Sequence, residues 1–442
     1  MKKKILLIYP ETDVDKNSRF GFSLNLLIIG SILFDEEFEV EYKDFTFEKY
    51  NQTKFVDDIK KYDLFIIEID SFPLKRSINL NNATQIIDII RERKSEAKII
   101  AFGKDCILFP RYINNTNLTY IGEIEKEIGF ICKNLFENEC SFSKSCILNN
   151  AQHDYQIELV DDLNKLPIPK RDLTDKYFEL SNKPNIPKST IIQTSRGCNA
   201  GCSFCQRNGW HFEKIRFRNV DLIIEEFKKI IDSSYKNVWI CDDNFTFNLK
   251  RAKQILNGLI KIYSKNYLSI ALSSWVKIDE EFLELSKNAG VSIISFGIES
   301  GVQKILDYYN KPIKIEEVSK IINLANEKGI YSVGNFIFGA PTETIEDIEQ
   351  TIDFAINIPL DNVNFKILSY MAGSKIWKNA VKENKIEPDI RIVYATKENG
   401  LSQFTFDELK NFCNNAKEKF NSNVKRKTNL LKKMLNKLPY YK

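Results

Sequence analysis

Histidine is scarce in this sequence, with only His153 and His211 among 442 residues. A Ser-His-Asp triad requires a histidine beside its nucleophile, and multi-histidine metal sites require several, so the scarcity nearly excludes both kinds of site. If the protein is an enzyme, we therefore expect its demanding chemistry to come from a bound cofactor.

Long apolar runs and a strong excess of one charge are also absent. The longest apolar run, residues 24–34, is too short to span a bilayer and begins too late for a secretory signal. The 64 Lys and Arg residues nearly balance 60 Asp and Glu residues, so the composition lacks the large positive charge that is typical of nucleic-acid-binding proteins. We expect a globular protein that resides in the cytoplasm with reduced thiols.

Three cysteines lie within eight residues in the pattern C-x3-C-x2-C: Cys198, Cys202 and Cys205. Thiolates are soft ligands for iron, and three of them on a short loop can hold one face of a cubic iron–sulfur cluster. Such clusters usually have four cysteine ligands, but the next cysteine, Cys241, comes 36 residues later. One iron would then stay open, which is the arrangement that metal-centred chemistry requires.

The same spacing is compatible with two other kinds of site. His211 follows closely enough to complete a structural Cys3His zinc site. A disulfide is a weaker alternative, because nothing else in the chain indicates an oxidising compartment.

The surroundings of the three cysteines resemble the signature of the radical S-adenosylmethionine (SAM) superfamily. Phe204 precedes the last cysteine, and an apolar strand ending in Ser195 is followed by Arg196 and Gly197. The resemblance covers roughly residues 188–375. It implies a [4Fe–4S] cluster on Cys198, Cys202 and Cys205 whose open iron binds the amino and carboxylate groups of SAM. The reduced cluster then cleaves SAM to methionine and a 5′-deoxyadenosyl radical.

Residues 1–140 alternate short apolar runs with helical patterns, which predicts an α/β fold with a doubly wound parallel sheet. The expected strands are residues 4–9, 38–42, 63–69, 98–102 and 118–122, and the expected helices lie near residues 22–35, 53–61, 82–94 and 123–136. Ligands of such sheets bind at the carboxyl ends of the strands.

This segment resembles the cobalamin-binding domain that precedes the radical SAM core in one subfamily. The matching features are Tyr9-Pro10, the helix 21–34, Phe102-Gly103 and Gly122-Glu123. Two features depart from that family. The first 152 residues contain no histidine for a lower axial ligand, as in many radical SAM members, and Phe102-Gly103 replaces the usual Gly-Gly. A retained scaffold with an empty or repurposed cleft is the alternative to cobalamin binding.

The rest of the chain divides into three expected segments. Residues 141–188 are polar and proline-bearing, which indicates an extended linker. Residues 189–370 repeat strand and helix six times, which predicts a partial (β/α)6 barrel, the radical SAM core, with its site at the strands' carboxyl ends. Residues 371–442 form a helical C-terminal region, in which residues 429–438 make a basic amphipathic helix. We expect its apolar stripe to pack on the protein rather than on a membrane.

The resemblance assigns further residues at strand ends to cofactor binding. Asp242 or Asp243 would contact the amino group of SAM through a charge-assisted bond. Glu299 would contact the ribose or the methionine part, and Gly339 would let the backbone approach the adenine. Phe204 is counted with them as part of the signature. The alternatives are solvated turns for the aspartates and helix caps near Glu299 and after Gly339.

Trp275 stands where the family often has an arginine that contacts the methionine carboxylate. Its replacement leaves that role to Lys277, to Ser273 or Ser274, or to no residue. Trp275 either stacks on a cofactor or fills the barrel, and aromatic bulk is more often core.

The resemblance thus implies a radical SAM enzyme in which cobalamin mediates methyl transfer to an unactivated carbon. Cobalamin-independent dehydration, rearrangement, oxidation or epimerisation is the alternative, and a non-catalytic iron–sulfur or zinc protein is a third. The expected partners are a small-molecule or peptide substrate and a reductant such as flavodoxin or ferredoxin, without nucleic acid. A transfer RNA methylthiotransferase would need a second three-cysteine cluster and an RNA-binding barrel, and the sequence shows no pattern that predicts either.

Overall fold

The computed structural model describes residues 2–11, 21–48, 50, 52–69, 79–139, 141–148, 154–179, 187–209, 214–262 and 268–423. His153, His211 and the predicted helix 429–438 lie outside the described residues. The chain divides into two compact units: residues 1–193 with 216–219, and residues 194–215 with 220–442. No helix in the described part of the chain is long and apolar enough to cross a membrane.

The first unit is built on a six-stranded sheet. Its elements are β1 (Lys4–Tyr9), α1 (Leu24–Asp35), β2 (Glu39–Asp44), α2 (Gln52–Ile59), β3 (Leu64–Glu68), α3 (Leu80–Arg93), β4 (Lys98–Phe102), α4 (Lys104–Leu108), β5 (Leu118–Tyr120), α5 (Ile128–Glu137), β6 (Cys146–Leu148), α6 (Asp175–Glu179) and β7 (Ser189–Ile192).

The sheet order is β2-β1-β3-β4-β5-β6, in which the first five strands pair in parallel and β6 is antiparallel to β5. All residues of β3 are buried, as expected for a parallel strand covered on both faces. The strand order reverses between β1 and β3, and such a switch point is where a doubly wound sheet binds ligands. The predicted doubly wound parallel sheet is confirmed.

The described part of the predicted linker packs onto this unit. Ser31 Oγ donates to the Ile168 carbonyl at 2.7 Å, and Lys170 N donates to the Leu27 carbonyl at 3.0 Å. The Tyr177 ring lies 5.0 Å from the Phe22 ring, centroid to centroid. Aromatic burial and backbone hydrogen bonds therefore fix this segment against α1 instead of leaving it extended.

The chain after β7 contains the other five strands of the second sheet. Its elements are β8 (Ser195–Arg196), β9 (Arg216–Phe217), which lies in the first unit, α7 (Val220–Asp232), β10 (Asn237–Ile240), α8 (Leu249–Ile262), β11 (Ser269–Ser274), α9 (Glu280–Asn288), β12 (Val291–Glu299), α10 (Gln303–Tyr308), α11 (Ile315–Glu327), β13 (Tyr331–Phe338), α12 (Ile345–Asn357), β14 (Asn362–Ile367), β15 (Ser369–Met371), α13 (Lys375–Lys382), β16 (Ile392–Tyr394) and α14 (Phe406–Ser422).

The sheet order is β14-β13-β12-β11-β10-β7, and β10 to β14 pair in parallel. Strand and helix alternate around it, so the predicted partial (β/α)6 barrel is confirmed. The C-terminal region contains the expected helices α13 and α14, together with a short antiparallel pair, β15 and β16. Leu409 and Ala416 of α14 pack against Phe338 and Ile352, which joins this helix to the barrel core.

Candidate active site

Asp242, which follows β10, fixes the base of the cysteine loop. Its side chain is almost fully buried, and its Oδ1 accepts a 2.6 Å hydrogen bond from Thr194 N. Its Oδ2 accepts from Thr194 Oγ1 at 2.5 Å and from Ser195 Oγ at 2.6 Å. Burial raises the pKa of the Asp242 carboxyl, and the hydrogen bonds from Ser195 and Thr194 oppose that rise. Both oxygens are thus occupied by the chain just before the first cysteine.

Asp243 holds the loop at both of its ends. Its Oδ2 accepts from Gly197 N at 3.1 Å, immediately before Cys198. Its Oδ1 pairs with Arg207 Nη2 at 2.7 Å, two residues after Cys205. The ion pair is largely buried, so solvent screens it weakly. One carboxylate therefore closes the loop that carries the three thiols.

The middle of the loop is docked on the residues that follow α10. Asn310 Nδ2 donates to the Gly201 carbonyl at 2.8 Å, and Ser203 N donates to the Tyr309 carbonyl at 2.9 Å. The ring of Phe204, one of the predicted cofactor-binding residues, packs edge-on against Tyr309 with centroids 5.2 Å apart. Gly201 has φ +74°, which glycine adopts without strain.

None of the three cysteines forms a disulfide with another described residue, and Cys202 is the most buried of them. Burial raises the pKa of the Cys202 thiol to about 12 and also raises the pKa of Cys198. No three His, Cys, Asp or Glu side chains of the described residues are grouped so that one metal ion could bind them.

The chemistry of the donor set fits an iron–sulfur cluster. Each thiolate of a cubic cluster binds a different iron, and the restrained loop supplies three of the four ligands. His211, the fourth ligand of the zinc alternative, lies outside the described residues.

Glu299 ends β12 in a strained conformation. Its φ is +69°, and its Oε1 accepts a 2.9 Å hydrogen bond from Lys311 Nζ within a buried ion pair. A Cβ built on Gly297 would lie 2.7 Å from Glu299 Oε1 and 3.0 Å from Lys311 Nζ, so a larger residue there would displace the pair from this position. Left-handed backbone at a non-glycine residue occurs mainly where function or packing demands it.

Lys311 is the residue that sequence reasoning missed. Its Nζ lies 4.8 Å from the centroid of the Trp275 ring, so Trp275 supports this cation. Lys277, the sequence candidate for a cation here, is exposed, and the hydroxyl of Ser274 donates to the Trp275 carbonyl. No spacing marks Lys311 in the sequence, because its neighbours come from distant strands.

The turn after β13 is fixed by a buried glutamate. Gly339 has φ +104°, and its N–H donates to Glu343 Oε2 at 2.5 Å, as does Ala340 N at 3.2 Å. Glu343 is fully buried, and its Oε1 has no hydrogen-bond partner among the described residues. Burial raises the pKa of the Glu343 carboxyl to about 7. Thr344 and Asp347 then form a capping box at the start of α12.

In the first unit, two glycines of the cobalamin-like pattern meet neighbouring carbonyl groups. Gly103 has φ +122°, and a Cβ there would lie 2.3 Å from the Ile69 carbonyl oxygen. Gly122 has φ +140°, and its Cβ would lie 2.0 Å from the Glu158 carbonyl oxygen. Close approach of the chain to itself therefore accounts for both glycines without a ligand.

The switch point between β1 and β3 contains a buried polar network. The Glu68 carboxylate is fully buried and accepts from Asn25 Nδ2 at 2.8 Å and from Ser23 Oγ. Ser23 also caps α1 by accepting from Leu26 N. The network lies at the edge where this type of sheet binds ligands, so the fold of the first unit is compatible with cobalamin.

These features define the class of protein. The sequence profile of the radical SAM superfamily matches residues 192–355, which include the three cysteines and four strands of the second sheet. The chain therefore contains a radical SAM domain over these residues, as its cysteine loop predicted. Such a domain implies a [4Fe–4S] cluster and SAM.

Two curated relatives that are similar in sequence to this chain are named as methyltransferases. An uncharacterized methyltransferase of Pyrococcus horikoshii is 32% identical over 230 residues, which cover 51% of this chain and 49% of that protein. The cytidylyl-2-hydroxyethylphosphonate methyltransferase of Streptomyces wedmorensis is 27% identical over 259 residues, which cover 55% of this chain and 48% of that enzyme. The chain thus spans about half the length of these two curated relatives.

The fold is similar to that of a solved enzyme. The radical SAM methyltransferase TsrM of Kitasatospora setae, with cobalamin and a [4Fe–4S] cluster bound, superposes with a TM-score of 0.69. The two sequences are 17% identical, and the match covers 87% of this chain and 78% of TsrM. At this identity the likeness concerns the fold, which includes both units.

Proposed function

We propose that the protein is a radical SAM enzyme that reductively cleaves SAM and transfers a methyl group to an unactivated carbon with the help of cobalamin. When bound, the cluster supplies the electron for SAM cleavage and the cobalamin supplies a carrier for the methyl group. We further propose a cytoplasmic location, a small-molecule or peptide substrate, and a flavodoxin or ferredoxin as the reductant.

The observation that carries this proposal is the restrained loop with three thiols. Asp242 and Asp243 hold its two ends, and the residues after α10 hold its middle. Cys241, the next cysteine in sequence, is buried, and burial raises the pKa of its thiol. A rigid loop that offers three thiolates leaves one iron for an exchangeable ligand.

We propose two different roles for the predicted cofactor-binding residues: positioning of the cysteine loop and binding of SAM. Asp242, Asp243 and Phe204 act as positioning residues, because their described contacts are with the cysteine loop and its support. Glu299 and the turn at Gly339 lie at the ends of β12 and β13, where a barrel of this kind binds its ligand. We assign these two positions to SAM binding.

Two observations support methyl transfer with cobalamin. The first unit has the sheet order of a ligand-binding doubly wound domain, with a polar network at its switch point. The fold of both units is shared with TsrM, and the two curated relatives are named methyltransferases.

A cobalamin-independent radical reaction is the second candidate. Phe102 replaces a glycine of the usual cobalamin loop, and the chain's own contacts account for Gly103 and Gly122. Both observations are expected if the first unit is a scaffold that no longer binds cobalamin.

Anaerobic purification followed by cluster reconstitution separates these candidates. We expect about four iron and four sulfide per chain, together with cobalt and the absorption band of cobalamin. Addition of SAM and a reductant should then yield 5′-deoxyadenosine or a demethylated SAM product. Iron without cobalt, after growth with cobalamin, would favour the second candidate. Zinc in place of iron would contradict both.

A further inference from the structure

A buried ion pair lies beside the cysteine loop, and its two side chains hydrogen-bond to each other rather than to the described residues of the loop. The side chains of Lys311 and Glu299 are 4% and 9% exposed, and their charged atoms are 2.9 Å apart. The Trp275 ring covers the Lys311 ammonium. Burying two charges costs more than most buried pairs return in stability, so such a pair is weak evidence of a purely structural role.

Two hydrogen bonds place Lys311 next to Cys202. Asn310, which precedes Lys311, donates to the carbonyl of Gly201, which precedes Cys202. Ser203, which follows Cys202, donates its N–H to the carbonyl of Tyr309. Residues 309–311 therefore run alongside residues 201–203, which brings Lys311 close to the second cysteine of the loop.

Lys311 carries its charge beside the cysteine loop. Its ammonium pairs with Glu299 at 2.9 Å and is covered by the Trp275 ring, so little solvent is present to screen it.

We propose that the Lys311–Glu299 pair sets the reduction potential of the cluster on Cys198, Cys202 and Cys205. This inference rests on the proposed function, because it requires that the loop hold the cluster. Reduction adds one electron from a low-potential donor and takes the [4Fe–4S] cluster from its 2+ to its 1+ state, with no proton transferred. Lys311 favours the added negative charge, and Glu299 opposes it.

Potentiometric titration of the reconstituted protein without SAM, followed by electron paramagnetic resonance (EPR), tests this proposal. Lys311→Met should lower the potential, so that the ratio of reduced to oxidised cluster at a fixed potential falls about tenfold, or about 59 mV for one electron. Glu299→Gln should shift the ratio in the opposite direction by a similar factor. The double variant should lie between the two single variants.

A matched control removes the same charge nearby. Lys304 lies on α10, its side chain is 57% exposed, and it pairs with Asp347. Because solvent screens this charge, Lys304→Met should leave the potential unchanged. Lys311→Arg, which keeps the charge, should stay close to the wild type.

Opposite shifts in the two single variants would support the proposal, since a loosened loop would shift both in the same direction. Unchanged potentials, or shifts of the same sign, would overturn it while leaving the proposed function intact. If Lys311→Met assembles no cluster, the shift in Glu299→Gln decides alone. A wild-type protein that assembles no cluster would overturn the proposed function as well.

Discussion

At the carboxyl ends of the second sheet, buried carboxylates bind the backbone of a loop that carries three thiols. At the carboxyl ends of the first sheet, Gly103 and Gly122 fit against carbonyl groups of their own unit. In sequence the two regions look alike, because polar and small residues follow apolar strands in both. The comparison teaches that a polar or small residue after a strand can serve the fold itself, so its contacts, and not its position alone, decide its role.

The largest expected effect is loss of the cluster from the second unit. Changing Cys202 to alanine should reduce iron from about four per chain to nearly none, because removal of one ligand exposes the cluster to loss. Changing Cys241 to alanine is the control and should leave the iron content unchanged. Iron assay and the absorption spectrum after reconstitution provide the measurement, and equal iron loss in both variants would make Cys241 a fourth ligand.

Removing the carboxylate at the base of the loop should have the next largest effect. Asp242→Asn replaces an acceptor of buried hydrogen bonds by a donor and should lower the free energy of unfolding by about 3 kcal/mol. Asp221→Asn, on the exposed face of α7, should change it by less than about 0.5 kcal/mol. Urea unfolding of both variants checks this, and equal stability of the two would contradict the role given to Asp242.

Replacing Gly122 of the first unit by alanine tests whether close packing within that unit requires the glycine. Gly122→Ala places a side chain on left-handed backbone and against the Glu158 carbonyl. It should therefore lower the free energy of unfolding by about 2 kcal/mol more than Gly329→Ala does. Gly329 also has a positive φ (+75°), but no atom of the described residues lies within 4 Å of the added Cβ, so Gly329→Ala measures the cost of the backbone conformation alone. If thermal unfolding shows that both variants lose the same stability, close packing is not the reason for glycine at position 122.

The buried Glu343 predicts a smaller, pH-dependent effect in the second unit. Its pKa is about 7 in the folded chain, against 4.5 for an unperturbed group. The folded state binds more protons between these values, so stability falls as pH rises through this window. The change from about pH 5 to about pH 8 should be about 2 kcal/mol. Glu343→Gln should remove that slope in urea unfolding, and an unchanged slope would assign it to another group.

Local patterns were enough to predict the order of strands and helices. Apolar runs marked the buried strands, and cysteine spacing marked the metal loop before any contact was known. The strand β6 was missed because three residues, Cys146–Leu148, are too few to show a period. The packing of Tyr177 on Phe22, just before α1, was missed because polar composition dominates its segment.

The contacts of individual site residues could not be predicted in the same way. Asp242 and Asp243 are neighbours in sequence, but the direction of each side chain depends on the strand that presents it. Lys311 lies close to Cys202 in space only because residues 309–311 align with the loop. Contacts between distant parts of the chain leave no periodicity, so they require the folded structure.

The central claim is that the loop of the second unit holds a [4Fe–4S] cluster with one iron open to SAM. EPR spectroscopy of the reduced, reconstituted protein with and without SAM tests it most directly. We expect the signal of the one-electron-reduced cluster, altered when SAM binds the open iron. A signal that SAM leaves unchanged, or no cluster signal at all, would contradict this account.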